Sequence, residues 1–432
     1  MTVEPDAVEG LPTARGCPFS PPAELTELSA TRPLARMSYP DGHMGWLVTS
    51  HFLARQILAS QDFSARHDLR HSPIPTMLTP TPAPPGAFIG MDPPEHTRYR
   101  KPLNQYFTVR RIRQLEPAIE RTTREHLNTM EKTGAPTDLM RAFALPIPVA
   151  VISELLGSTP EINEELQRLR AVSMDPRSPA EDVGASVKAT HELMQNLVAY
   201  KRDTPGDDLL TKLIGDGELD DAELTGLALM MLIAGHETTA QMIGLSMYYL
   251  LRHEEIRDRL IGGPVLTDEA VNELLRCLSA VQFVTRVALT DVELGGVTVR
   301  KGEACTISLP AVNRDARAFD EPDLFKAVGD TAETPQASRH APASGSPQAS
   351  RHAPASGSPQ ASGQAPASGS HLTFGHGIHQ CIGHNLARSE MKIAIGAVWQ
   401  RFPALRLASD DAEITTREAF NTYGLDRLPV EW

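Results

Sequence analysis

Cysteine is scarce. The 432 residues carry four, Cys17, Cys277, Cys305 and Cys381, widely spaced and without a CxxC pair. That excludes a disulfide scaffold and a zinc ribbon and fits a reducing cytoplasm. Positive charge is also short. Lys plus Arg is 41 against 54 for Asp plus Glu, a formal net charge of −13, which argues against nucleic acid as the main ligand because phosphate binding needs a basic footprint. No run of about 18 or more apolar residues occurs, so no membrane span is expected. The most apolar long segment, Leu224 to Leu251, carries His236 and Glu237 in its middle and reads as a buried core helix. The first residues, MTVEPDAVEG, lack a basic stretch followed by an apolar one, so no signal peptide is expected.

What is present is a globular composition, 41% hydrophobic and 22% charged, with 35 prolines. The pattern predicts many helices and a small sheet. Residues 1–40 read as an extended arm. A short strand at Trp46 precedes a short helix from His51 to Ala59. Six prolines between 65 and 90 forbid a long helix there and mark a long loop or lid. Helices are then expected over His96–Phe107, Ile112–Lys132, Asp138–Leu156 with an interruption near Pro146 and Pro148, Glu161–Ser173, Ala180–Arg202 and Leu219–His253. Asp220 or Asp221 is a plausible N-cap for the last of these, and Thr267 caps another. Short strands follow at Thr285–Leu289, Val292–Val299 with a Gly295-Gly296 turn, and Ala304–Leu309. A last helix covers His384–Arg401, and strands are expected around Leu405 and Leu428.

One segment stands apart. Ala337–Gln348 reads ASRHAPASGSPQ, Ala349–Gln360 repeats it unchanged, and Ala361–Ser370 is an altered third copy. This Pro/Ala/Ser/Gly composition has almost no apolar surface to offset ordering entropy. Residues 331–370 are therefore expected to be a disordered insertion. It splits one catalytic domain into 41–330 and 371–432, behind the arm of 1–40.

Three motifs carry chemistry. The strongest is Phe374-Gly-His-Gly-Ile-His-Gln-Cys-Ile-Gly383. Its glycines let a chain approach a large planar ligand, and amides at a following helix start would favour a thiolate at Cys381. His376, His379 and His384 make zinc a superficial alternative, but zinc needs four convergent ligands and leaves the glycines unexplained. The second motif is Ala234-Gly-His-Glu-Thr-Thr239, mid-helix. The third is Glu273-Leu-Leu-Arg276, a pair on one helix face able to bond in bidentate fashion.

In this order the motifs closely resemble those of the cytochrome P450 superfamily, from about Cys17 to Trp432 apart from the insertion. The flavour is that of its soluble actinobacterial members (MDPPEHTRYR, VELGGVTVRKGE, LPVEW). The resemblance implies a mainly α fold with small β-sheets, a triangular prism of helices around haem b. Cys381 would be the axial iron ligand, with Phe374 and Gly375 in its loop. Glu237 and Thr238 would relay protons during O–O cleavage, with Gly235 leaving room for a diatomic ligand. Glu273 and Arg276 would brace the Cys loop from behind. His96, Arg100, Arg286 and His379 would contact the haem carboxylates. The substrate pocket would include Met230, Ile233, Ala234, Val281, Phe283, Thr422 and Tyr423.

The activity implied is monooxygenation of an apolar small molecule, a natural product or xenobiotic, with O2 as co-substrate. Electrons would come from NAD(P)H through a ferredoxin reductase and a ferredoxin, docking on Arg98, Lys101, Arg110, Arg111 and Arg113. One position departs from the pattern. Leu324 stands where the family usually has an Arg that completes the brace, so Leu324→Arg is expected to raise haem retention on heating. A gas-binding haem protein and a degenerate binding protein that uses the repeats as its interaction tract stay open at this point.

Overall fold

Caps and prolines decide where the helices begin. The structure, a computed structural model, describes residues 7–75, 80–174, 178–261, 266–326, 371–409 and 414–432. The repeat tract lies outside these residues, as do 76–79 of the proline-rich loop. Helices α1 (Ala23–Thr31), α2 (His51–Ala59), α3 (Glu95–Leu103), α4 (Val109–Thr133), α5 (Pro146–Leu156), α6 (Pro160–Met174), α7 (Ala180–Asp203) and α8 (Leu209–Asp216) precede the long α9 (Asp221–Arg252). After it come α10 (Glu254–Ile261), α11 (Asp268–Leu278), the single turn α12 (Leu309–Val312) and α13 (His384–Arg401). Residues 140–144 make a π-helical turn just before Pro146, which starts α5 because its missing N–H costs nothing at a helix start.

Helix α9 begins in a full capping box. Asp220 accepts from the Glu223 amide at 2.8 Å, and Glu223 accepts from the Asp220 amide at 2.9 Å. Its 32 residues span about 48 Å at 1.5 Å each. It is buried on most sides, against α5, α7 and α13, as a helix apolar all round must be. The largest core cluster joins α4, α5, α9, α11 and α13.

The main sheet has six strands: β1 (Val8–Glu9), β2 (Leu34–Ser38), β3 (Met44–Val48), β4 (Phe63–Ser64), β6 (Phe283–Ala288) and β9 (Ala304–Ser308), in the order β1-β2-β3-β9-β6-β4. Strand β5 (Thr137–Asp138) joins β10 (Arg406–Leu407) and β11 (Pro429–Glu431) in a second sheet, and β7 (Val292–Leu294) pairs with β8 (Val297–Val299). The turn between those two uses Gly295 and Gly296, both at positive φ, as the sequence predicts.

The expected arm is different. Residues 23–31 are helical and 34–38 form a central strand, with Leu25, Leu28 and Met37 buried. Helices α8 and α10 are also additions to the sequence reading. Among the described residues no helix is long and apolar enough to cross a membrane.

Candidate active site

Two segments carry the site's chemistry, the loop that holds Cys381 and the middle of α9. The Cys loop is folded by its own main chain. The Gly375 amide donates to the Leu372 carbonyl at 2.8 Å and the Cys381 amide to the Phe374 carbonyl at 2.8 Å. Gly375 and Gly377 sit at φ +69 and +73, where a side chain would be strained. At Gly377 a Cβ would lie 2.2 Å from the Leu58 carbonyl, so this glycine serves close approach to α2 rather than to a ligand. Cys381 lies two residues ahead of Gly383, the N-cap of α13. Water can reach its side chain although protein surrounds it, as befits a residue facing an internal cleft. Burial pushes its thiol up, while the Gly383 amide, Arg100 and Arg388 pull the other way.

The brace behind this loop is complete without an Arg at 324. Arg276 donates to both carboxylate oxygens of Glu273, at 2.8 and 2.7 Å, and to the carbonyls of Asn313, Pro322 and Leu324 at 3.0, 2.7 and 3.0 Å. The Leu324 carbonyl thus serves the network, and its side chain is 55% exposed. Buried Asn313 passes the brace on. Its Nδ2 donates to Thr373 Oγ1 at 2.9 Å and its Oδ1 accepts from the Leu372 amide at 2.6 Å. Arg388 covers the Phe374 ring at 4.5 Å and donates to Asn272 on α11. Asn313, Thr373 and Arg388 belong to none of the three motifs, and only the fold reveals them.

On α9, Ile233 is 45% exposed and Ala234 is open in the middle of an otherwise buried helix. Thr238 Oγ1 donates to the Ala234 carbonyl at 3.0 Å. Glu237 turns aside and accepts from Arg417 at 2.7 Å. Gly235 does not face the cleft: a Cβ there would meet the Ile152 side chain at 3.0 Å, so its small size admits α5. Val281 and Thr422 are paired across a β-bridge, and Met230 and Phe283 are half-buried. Tyr423 is a correction to the expected pocket. It is fully buried, its hydroxyl donates to the Pro18 carbonyl at 2.9 Å, and Arg15 stacks on its ring.

The expected carboxylate-binding set comes together. The His96 and His379 rings are 4.3 Å apart. Both nitrogens of His96 and Nε2 of His379 are buried without a hydrogen-bond partner. Burial, then Arg286, His96 and Arg100, push His379 down to about 3, and burial with Arg70 pushes Arg286 down to about 10. The acid that acts on this group, Asp92, is already held by Ser64 Oγ at 2.6 Å and the Ala65 amide at 2.8 Å. Buried donors without an acceptor are costly. This set therefore fits the two carboxylates that a bound haem would present. Zinc fits poorly, since no three His, Cys, Asp or Glu side chains converge among the described residues.

The expected basic face is reduced. Arg98 is paired with Glu223, and Arg111 bonds Gln114 and lies 3.8 Å from Asp207. Lys101, Arg110 and Arg113 remain exposed.

Comparison with known proteins agrees with this geometry. The family pattern described as "Cytochrome P450" matches residues 149–262, 265–328 and 349–421. Cytochrome P450 105C1 of a Streptomyces species is 40% identical over 97% of both chains, and pentalenic acid synthase of Streptomyces avermitilis is 37% identical over 98% of this chain and 96% of that one. The crystal structure of CYP105P1 in complex with filipin I superposes with a TM-score of 0.81 at 36% identity, covering 98% of this chain and 99% of that one. The chain belongs to the cytochrome P450 family, in its actinobacterial form, and is a monooxygenase of that family.

Proposed function

We propose that the protein inserts one oxygen atom of O2 into an apolar, natural-product-like small molecule, using haem b held by Cys381 and electrons passed from NAD(P)H through a ferredoxin reductase and a ferredoxin. The observation that carries this reading is two buried histidines, His96 and His379, with unpartnered ring nitrogens beside Arg100, which also acts on Cys381. Bound haem would supply oxygen activation, with thiolate donation favouring O–O cleavage. The chain's own residues do the rest. His96, Arg100, Arg286 and His379 bind the two carboxylates. Phe374 and Gly375 shape the loop, and Glu273 and Arg276 hold it. Glu237 and Thr238 move protons toward the oxygen. Met230, Ile233, Ala234, Val281, Phe283 and Thr422 orient substrate and exclude water.

The substrate class is supported by two relatives' names, since one is a synthase of pentalenic acid and another was crystallised with filipin I. Lys101, Arg110 and Arg113 are the proposed docking face for an acidic ferredoxin. The cytoplasm is the proposed location, without nucleic-acid or membrane partners, and the 331–370 tract is proposed as an insertion within a single catalytic domain. The test is turnover of a compound panel with ferredoxin, reductase and NADPH under isotopically labelled O2. One labelled oxygen atom in the product is expected. Label-free product, or no product from any compound that perturbs the haem spectrum, overturns the reading.

A further inference from the structure

An apolar substrate that fills the cleft also expels its water, so protons for the reaction need another way in. Arg417, outside every motif, points to one. Gln282 Nε2, just before β6, donates to the carbonyls of Glu418 and Phe420, both at 2.7 Å, and Gln241 of α9 bonds the Leu425 amide and carbonyl, so the C-terminal segment is held against α9. Arg417 then stands between two carboxylates. Its Nη1 donates to Glu237 Oε1 at 2.7 Å, and its Nε lies 3.8 Å from Asp426 Oδ1. The Arg417 and Glu237 side chains are 10% and 17% exposed, and that of Asp426 is 29% exposed.

A cavity of about 260 Å3 opens at this point, lined by residues that include Arg141, Gln167, Arg170, His236, Arg417 and Asp426. It runs from outside to inside, since the Arg141 side chain is 56% exposed while Arg170 is 8% and His236 1% exposed. Much of its wall is apolar, but Arg141, Gln167, Arg170, Gln241, Arg417 and Asp426 offer water hydrogen-bond partners, and Glu237 meets it through its bond to Arg417. His236 is not itself a proton carrier there: burial and Arg170 push it down to about 3, and its Nδ1 and Nε2 are engaged by the Leu232 carbonyl and Arg170.

We propose that this side cavity is the proton inlet of the enzyme, with Asp426 as its outer carboxylate and Arg417 as the positioning residue that holds Asp426 and Glu237 in register. The proposal rests on the monooxygenase reading above. A solvent proton is taken by the Asp426 carboxylate and passed through cavity water to Glu237. From there it goes on beside Thr238, and each carboxylate returns to its ionised form. Arg417 stays protonated throughout.

The test uses the haem-loaded enzyme and the variants Asp426→Asn, Arg417→Met, Arg417→Lys, Glu237→Gln and the Asp426→Asn/Glu237→Gln pair. Asp426→Asn and Arg417→Met are expected to keep haem content and substrate Kd, and to lose about ten-fold in product formed per NADPH, less than the roughly hundred-fold or more of a directly acting proton-transfer group because Glu237 remains. The solvent deuterium isotope effect should rise in both. Formate should restore Asp426→Asn, and Arg417→Lys should recover part of the loss. The Asp426→Asn/Glu237→Gln pair should be no worse than Glu237→Gln alone. Independently of activity, the destabilisation from Arg417→Met and Glu237→Gln should be less than additive in thermal unfolding. Undiminished coupling in both single variants, additive losses in the pair, or weakened substrate binding with coupling intact would each overturn the proposal. If the wild type turns over normally under those outcomes, only the inlet fails. A wild type without turnover removes the parent reading and the inlet with it.

Discussion

Cys381 and Thr238 on one side and Glu390 on the other show two different fates for a polar group in this interior. Cys381 and Thr238 border the cleft, and each has work assigned to it there. Removing the hydroxyl in Thr238→Ala is expected to keep haem while diverting reducing equivalents to peroxide. Peroxide measured against NADPH consumed checks this, and unchanged coupling contradicts it. Glu390 is different: it is 1% exposed, and its Oε2 has no partner. Burial raises its carboxyl from the usual 4.5 to about 8. Between those values the folded state holds a proton that the unfolded state has released, so stability falls as pH rises, by up to about 1.4 kcal/mol per pH unit for one proton. Glu390→Gln should remove this slope and stabilise the protein most at and above pH 8. Urea midpoints measured from pH 5 to 9 decide it, and parallel curves for the two proteins would contradict it. Leu324 is a third case. Its side chain is exposed, and Arg276 already spends its donors on carbonyls and Glu273, so the sequence-based expectation of a gain from Leu324→Arg weakens. A surface change of this kind is worth within about 0.5 kcal/mol, and the haem-release temperature should hardly move.

At the scale of elements, the site depends on close approaches that only glycine permits. A Cβ on Gly226 of α9 would lie 1.9 Å from the Pro85 carbonyl, and one on Gly86 2.3 Å from the Glu223 carbonyl. The proline-rich loop is therefore seated directly on the first turns of α9. Gly226→Ala should lift it, raising protease cleavage within 80–90 and weakening substrate binding; unchanged cleavage and affinity would argue that the loop seats elsewhere. Asn313→Ala should loosen the Cys loop by about 1–3 kcal/mol, the cost of stranding buried groups, read as earlier haem loss on heating. The long elements were legible beforehand because their signals are local. The N-cap at Asp220, one of two candidates, the Thr267 cap, the Gly295-Gly296 turn and α13 all lie where residue chemistry places them. Short elements were not legible. Helix α1 and strand β2 have nine and five residues between prolines, and their order comes from tertiary partners. The same limit hid Asn313, Arg388 and Arg417, which act across long sequence separations. It also misassigned Gly235 and Tyr423, whose neighbours are visible only in the fold.

For the molecule as a whole, the two ends that flank the repeats meet on one helix. The Lys326 amide donates to Glu273 Oε1 at 2.8 Å, and His371 Nε2 lies 3.5 Å from Asn272 Oδ1. Chain inserted between neighbouring anchors on α11 adds only closure entropy, which grows slowly with length. Deleting 337–370 should thus leave the haem spectrum and the unfolding midpoint nearly unchanged, and loss of either would assign the tract a structural part. The claim on which everything else depends is that Cys381 binds haem iron as a thiolate. The most direct measurement is the absorption spectrum of the purified protein after dithionite reduction and exposure to carbon monoxide. The account predicts a strongly red-shifted Soret band that is lost in Cys381→Ala. A band at the position of histidine-ligated haem, or no haem at all, would contradict it.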